Sequence, residues 1–197
     1  MLQSLKSRGS LQMLKNAWVA LSPRIKNIIN VSGFGNFFEA LLNQETHEYK
    51  DLQLLLALAK RFWDTTCTFH FPGIGEVMLT PYDFSTITNL RLGGERILVS
   101  DSLTSAKLKK LQGVVPSRMR SNNILLSWLC ENIPLCENVA KGACMFMLLF
   151  IRTFLCPDLG ITMNLRYLGS LRKIEHIWNY DWGHGLCYSD AFHDPTL

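Results

Sequence analysis

His70, set between Phe69 and Phe71, is the side chain in this sequence that most invites a catalytic role. A general base needs a nucleophile or an orienting carboxylate within hydrogen-bond reach. Glu76 lies across the hairpin expected around Pro72-Gly73-Ile74-Gly75 and could orient the imidazole, but a structural pair is the plainer reading. Asp83 closes Thr80-Pro81-Tyr82-Asp83 and is better explained as a helix cap than as an acid. Near the C-terminus stand His184, Cys187, His193 and Asp194, with His176 upstream. Imidazole and thiolate can hold zinc tetrahedrally. Their spacing matches no standard zinc framework, so they read as a polar turn with a small buried cysteine, and no metal or cofactor is assigned.

Phosphate chemistry finds no support in the glycines. Gly33-x-Gly35 and Gly93-Gly94 lack the rest of a dinucleotide fingerprint or P-loop and read as backbone turns. Trp178, Tyr180 and Trp182 offer stacking faces for a base or a protein partner. Aromatics beside a glycine turn more often pack a corner of the core.

Charge suggests a binding chemistry instead. The net charge of +4 is unevenly spread. The first thirty residues carry Lys6, Arg8, Lys15, Arg24 and Lys26 without a carboxylate. A second basic run holds Arg91, Arg96, Lys107, Lys109, Lys110, Arg118 and Arg120 against only Glu95 and Asp101. Lys107, Lys109, Lys110, Arg118 and Arg120 are the candidate nucleic-acid contacts, since such clusters attract phosphate in a salt-dependent way. A solvated surface behind a free arm explains the same residues, and no RNA-binding or zinc-finger motif decides between the two.

These residues must be positioned by a folded body. Hydrophobic residues make up 48% and charged residues 18% of the chain, which supports a core and argues against disorder. Six cysteines form no CxxC pair, and several lie in apolar runs. The N-terminus has no continuous apolar stretch of the secretory kind, so a reducing compartment is expected. The run from Ala143 to Ile151 stops at Arg152, short of the ~20 residues that cross a bilayer, and reads as a buried helix.

Periodicity supplies the other elements. A helix is expected over Met13–Leu21, ended near Pro23. Asp51 to Trp63 is the clearest helix, with Leu52, Leu55, Leu56, Ala59 and Phe62 on one face. The period then drops towards two around Pro72–Gly75, which predicts a hairpin near 66–79. Thr80 as N-cap, Pro81 in the first turn and Asp83 near the dipole's positive end predict a helix start. Gly93-Gly94 is expected to end that helix.

The run LLALAKRFWDTTCTFHFPGIGEVMLTPYDFSTITNLRLGGERI resembles the signature of the plant mobile domain family: T-x-T-F-H-x-P, G-E-x-x-x-T-x-x-D-F and I-T-x-L-x-x-G-G. Downstream, KGACMFMLLFIRTFLCPDLGITMNLRYLGSLRKIEHIWNYDWGHGLCYSDAF is similar to that family's later apolar helix and Y-x-W-G turn. The resemblance spans about 35–192 and implies a transposon-derived nuclear protein in gene and transposon silencing and meristem maintenance. It also implies a protein partner, a PP7-like serine/threonine phosphatase among the candidates. The family continues beyond Y-x-W-G, so the resemblance reads this chain as a C-terminally shortened copy. Family labels that evoke a phosphatase or an aminotransferase find no counterpart here. The metal-binding segments of a two-metal phosphoesterase are missing from the sequence, and so is the large scaffold around a Schiff-base lysine.

The resulting expectation is a mainly α domain with one small β-hairpin near 66–79. It comprises a basic, partly helical arm over 1–30, a helical domain over 31–192 and a tail over 193–197. The function expected is non-catalytic protein interaction in the nucleus, with basic nucleic-acid binding as the alternative and no membrane association. Candidate partner-binding residues are His70, Glu76, Tyr82, Asp83, Trp178 and Trp182.

Overall fold

The computed structural model describes residues 11–43, 52–63, 65–66, 68–88, 90–97, 123–155, 160–171 and 173–182. The chain is mainly α-helical. Its centre is a helix that is apolar on nearly every side, Val139–Phe150, whose residues Met145 to Phe150 are all buried. A helix of that composition belongs inside a protein. Asn138 starts it, with its side-chain carbonyl accepting from the Lys141 amide at 3.0 Å.

Around this helix pack α1 (Leu11–Ala20) and α2 (Pro23–Ile29). Pro23 does follow the end of α1, but it also opens α2, where Ser22 is the N-cap and its hydroxyl accepts from the Ile25 amide. The missing proline donor is harmless in a first turn. Leu14, Ala17, Leu21, Ile25 and Ile29 are buried, so the segment expected as a basic arm supplies part of the core from residue 14 onward. The contact is close: a Cβ on Gly142 would fall 2.5 Å from Ile25 Cδ1.

After α2 the chain turns through Asn30–Phe34 into α3 (Gly35–Asn43). Gly33 makes the kink, at φ 95°. A Cβ there would sit 2.7 Å from the Trp178 ring, so glycine answers both a backbone and a packing demand. The kink delivers Phe34, Phe37 and Phe38 to a cluster with Trp18, Phe146, Phe150, Phe154, Trp178 and Trp182. Phe38 is its hub, with ring centroids 4.8 Å from Phe150, 5.1 Å from Phe146 and 5.3 Å from Trp18.

The middle of the chain forms α4 (Leu52–Ala59), β1 (Phe62–Trp63), β2 (Thr68–Phe71), β3 (Gly75–Val77) and α5 (Pro81–Thr88). The expected hairpin is β2 with β3, and β1 adds a third antiparallel strand in the order β1-β2-β3. The helix expected to run to Trp63 therefore ends at Ala59, because Phe62 and Trp63 pair with Phe69 and Thr68. Likewise α5 ends at Thr88, well before Gly93. Thr88 Oγ1 accepts the Leu90 amide, and the positive φ values of Gly93 and Gly94 serve a later turn.

The C-terminal half begins with β4 (Asn123–Leu125), runs directly into α6 (Leu126–Asn132), and continues to α7, the central helix Val139–Phe150. A wide turn, Ile151–Leu155, follows α7. Buried Arg152 lies in it, donating Nε to the Thr162 carbonyl at 2.8 Å and Nη2 to that of Gly160. Those carbonyls lie just before and at the start of β5 (Thr162–Asn164), which pairs antiparallel with β4. Short 3-10 turns, Leu165–Gly169 and Ile174–Asn179, close the core.

Among the described residues no helix is long and apolar enough to cross a membrane. Cys130, Cys136 and Cys144 are free thiols. Burial first, then the charge of Glu175, pushes the Cys144 thiol up to about 12. Its Sγ donates to the Leu171 carbonyl, the behaviour of a small packed side chain rather than a nucleophile.

Candidate interaction surface

The three-stranded sheet stands apart from the aromatic core, while α5 touches the core through Phe84. No described residue of β1, β2 or β3 belongs to the buried apolar cluster. Most large apolar side chains exposed among the described residues fall between Leu54 and Ile87. They include Trp63, Ile74, Val77, Met78 and Leu79, and then Tyr82 at 71% and Ile87 at 74% exposure on α5.

Strand register sorts the sheet into two faces. Directly opposed residues share a face, so Phe62, Phe69 and Val77 lie on one and Trp63, Thr68, His70 and Glu76 on the other. On the first, the Phe62 and Phe69 rings are 5.3 Å apart and the Arg61 guanidinium lies over Phe71. On the second, Trp63 stacks flat on His70, with centroids 5.0 Å apart and planes 14° apart.

The register places His70 opposite Glu76, but their chemistry does not join. Glu76 Oε2 accepts from the Thr68 hydroxyl at 3.3 Å, and Thr68 also meets Thr66 at 2.6 Å. His70 Nδ1 is buried with no hydrogen-bond partner. The imidazole is thus held by an indole, with no carboxylate on Nδ1.

Asp83 sits where a cap belongs. Its Oδ2 accepts from the Thr80 hydroxyl at 2.6 Å and the Thr80 amide at 2.9 Å, while Thr80 Oγ1 accepts from the Asp83 amide. This reciprocal box starts α5. The Thr80 hydroxyl first, then the Thr80 amide, hold the Asp83 carboxyl below its ordinary range.

Besides Phe84, two further contacts tie the surface to the core. Leu90 is fully buried, and the Ser85 hydroxyl donates to its carbonyl. Glu95 forms a parallel bridge with Tyr180, its amide donating to the Asn179 carbonyl at 2.9 Å and its carbonyl accepting from the Asp181 amide at 2.8 Å. Gly94, at φ 125°, permits this approach, since a Cβ there would collide with the Asn179 carbonyl oxygen.

The candidate partner-binding residues therefore separate. His70, Glu76, Tyr82 and Asp83 lie on the sheet and the start of α5. Trp182 is 1% exposed and donates Nε1 to the Ile177 carbonyl, so its ring belongs to the core and offers no face to a partner. Trp178 is half-buried over Gly33. Sequence reasoning missed Trp63, Ile74 and Ile87, and the usable signal was apolar residues placed in and beside a turn-rich hairpin. Lys107, Lys109, Lys110, Arg118 and Arg120 lie outside the described residues, as do His184, Cys187, His193 and Asp194. No cluster of three or more His, Cys, Asp or Glu able to hold a metal occurs among the described residues. A groove of about 520 Å³ between α1 and α3 is lined, among the described residues, by Lys15, Trp18, Asn30, Asn36 and Glu39.

No curated protein and no solved structure matches the chain. The family model that matches is not the plant mobile domain, and this corrects the resemblance drawn from the hairpin and cap motifs. Those motifs are strand, turn and capping signals, which unrelated folds share because the same local physics selects them. The match runs over residues 7–188, and the chain belongs to the domain of unknown function family DUF8566.

Proposed function

We propose that this protein is a non-catalytic interaction module that docks a protein partner through the β1–β3 sheet and α5. One observation carries the reading: nine of the thirteen large apolar side chains exposed among the described residues fall between Leu54 and Ile87, while Phe34, Phe37, Phe38, Phe146 and Phe150 are buried. Soluble proteins rarely expose such groups together unless something covers them. The non-catalytic part draws on His70, whose Nδ1 has no partner, and on Asp83, which is spent on a helix cap. The nuclear silencing role and the PP7-like phosphatase were implied by the plant mobile resemblance alone and lose their support with it.

The test compares the native chain with an Ile74→Asp, Tyr82→Ala, Ile87→Asp variant in nuclease-treated pull-downs from the source cells. The native chain is expected to retain specific proteins that the variant loses while melting at nearly the same temperature. Identical capture by both proteins would sink the reading. Loss of every specific partner on nuclease treatment would shift the function to nucleic acid and to the basic residues between Lys107 and Arg120.

A further inference from the structure

We propose that the outer edge of β3 is a docking strand for an extended segment of a partner protein, one in which a lysine or arginine is flanked by apolar residues. The proposal rests on the reading of this region as an interaction surface and specifies how the surface is used.

Backbone geometry comes first. β3 ends the order β1-β2-β3, and no strand pairs with its outer side among the described residues. The His70 amide donates to the Arg61 carbonyl at 2.8 Å, so His70 points its peptide groups towards β1. Phe69 and Phe71, one residue to either side, then point theirs towards β3. They stand opposite Val77 and Gly75, which therefore bond back to β2. Glu76 is left with its N–H and C=O groups directed outward, the arrangement onto which an extended peptide can add a strand.

Side chains then select the occupant. An added residue directly opposite Glu76 shares its face with Glu76 and, one strand further in, His70. Glu76 is exposed, so a cationic side chain there meets a carboxylate. The residues before and after it fall on the other face. One lies beside Val77, which is 44% exposed, and one beside Gly75, where a Cβ would meet nothing within 4 Å. That face continues through Phe69 and Phe62, so apolar side chains suit it. A second copy of β3 centred on the same position would set Glu76 against Glu76, a like-charge opposition that disfavours self-pairing.

The test uses the full chain and a capped, dye-labelled heptapeptide of alternating valine and lysine, read by fluorescence anisotropy and by amide hydrogen exchange. Saturable binding is expected, with slowed exchange at the Glu76 amide. Glu76→Arg should weaken it about fivefold, and replacing the peptide lysines by glutamate should recover the loss on that variant. Methylating the central amide nitrogen of the peptide, which leaves the protein untouched, should cost about fivefold as well. No binding, indifference to N-methylation, or unchanged exchange at Glu76 would overturn the proposal. Should it fail while the Ile74, Tyr82, Ile87 variant still loses its partners, the interaction surface stands and only strand addition is wrong.

Discussion

Phe38 and Trp63 are both large rings on short elements, yet one disappears into the molecule and the other stays in water. Phe38 lies at the centre of a ring cluster fed by α1, α3, α7 and the C-terminal turns, and it is 0% exposed. Trp63 stacks on a single neighbour, His70, and keeps 49% of its surface exposed. The difference lies in the number of elements that converge. Several helices and turns close over Phe38, whereas the three strands around Trp63 are two to four residues long and place nothing in the core. Burial stabilises the fold in proportion to apolar area removed from water, so the core holds the chain together while the sheet leaves apolar area exposed.

The largest expected effect lies in the core. Phe150→Ala removes contacts with Phe34, Phe37, Phe38 and Phe154 and should cost about 3–5 kcal/mol, read as a fall in the urea midpoint. A loss below about 1 kcal/mol would mean the cluster is loosely packed, and the contrast between the regions would dissolve.

Gly33→Ala comes next, because it attacks the joint that feeds the cluster. Forcing a side chain to φ 95° costs about 1–3 kcal/mol, and the new methyl also displaces the Trp178 ring. The destabilisation should shrink in a Trp178→Gly background, where the ring is gone. Equal losses in both backgrounds would assign the whole effect to the backbone.

These two positions also mark what sequence can reveal. The burial of α7 was legible because its apolar run admits no other placement. The hairpin turn and the Thr80–Asp83 box were legible because local chemistry dictates them. The kink at Gly33 was legible too, but not its cause, since Trp178 is far away in sequence. Periodicity carried a helix through Phe62 and Trp63, where pairing with β2 prevails over local preference. The β4–β5 pair was missed because three-residue strands so far apart leave no local pattern. Trp182 and Trp63 look alike in sequence, each a tryptophan near a turn. Only the tertiary arrangement decides that one is buried and the other exposed.

A smaller and local effect is expected at the start of α5. Thr80→Ala removes the cap and should cost that helix about 1 kcal/mol, seen as faster amide exchange in α5 with little change in α7. Acid should act at the same place. Hydrogen bonds from Thr80 hold the Asp83 carboxyl low, so their contribution is fully present above the ordinary carboxylate range. It is lost as pH falls through that range to the lowered value of the folded state. An Asp83 titration by NMR, with the Thr80 amide as reporter, should show this order, and an unshifted midpoint would remove the cap from the account.

The smallest stability effect is expected on the exposed residues, and it separates the two regions most sharply. Ile74→Asp, Tyr82→Ala and Ile87→Asp should each change stability by no more than about 0.5 kcal/mol, since their side chains already face water. Ile74 at 78% exposure has almost nothing to lose on unfolding. Chemical denaturation with matched slopes is the check, because an altered slope would mean that the folded or unfolded state itself had changed. A loss comparable to that of Phe150→Ala would show that these side chains are buried in solution, by self-association for instance, and midpoints that rise with protein concentration would identify that case. Unchanged stability with lost partner capture is the outcome that ties the exposed apolar area to recognition, because the two properties would then respond to different residues of one chain.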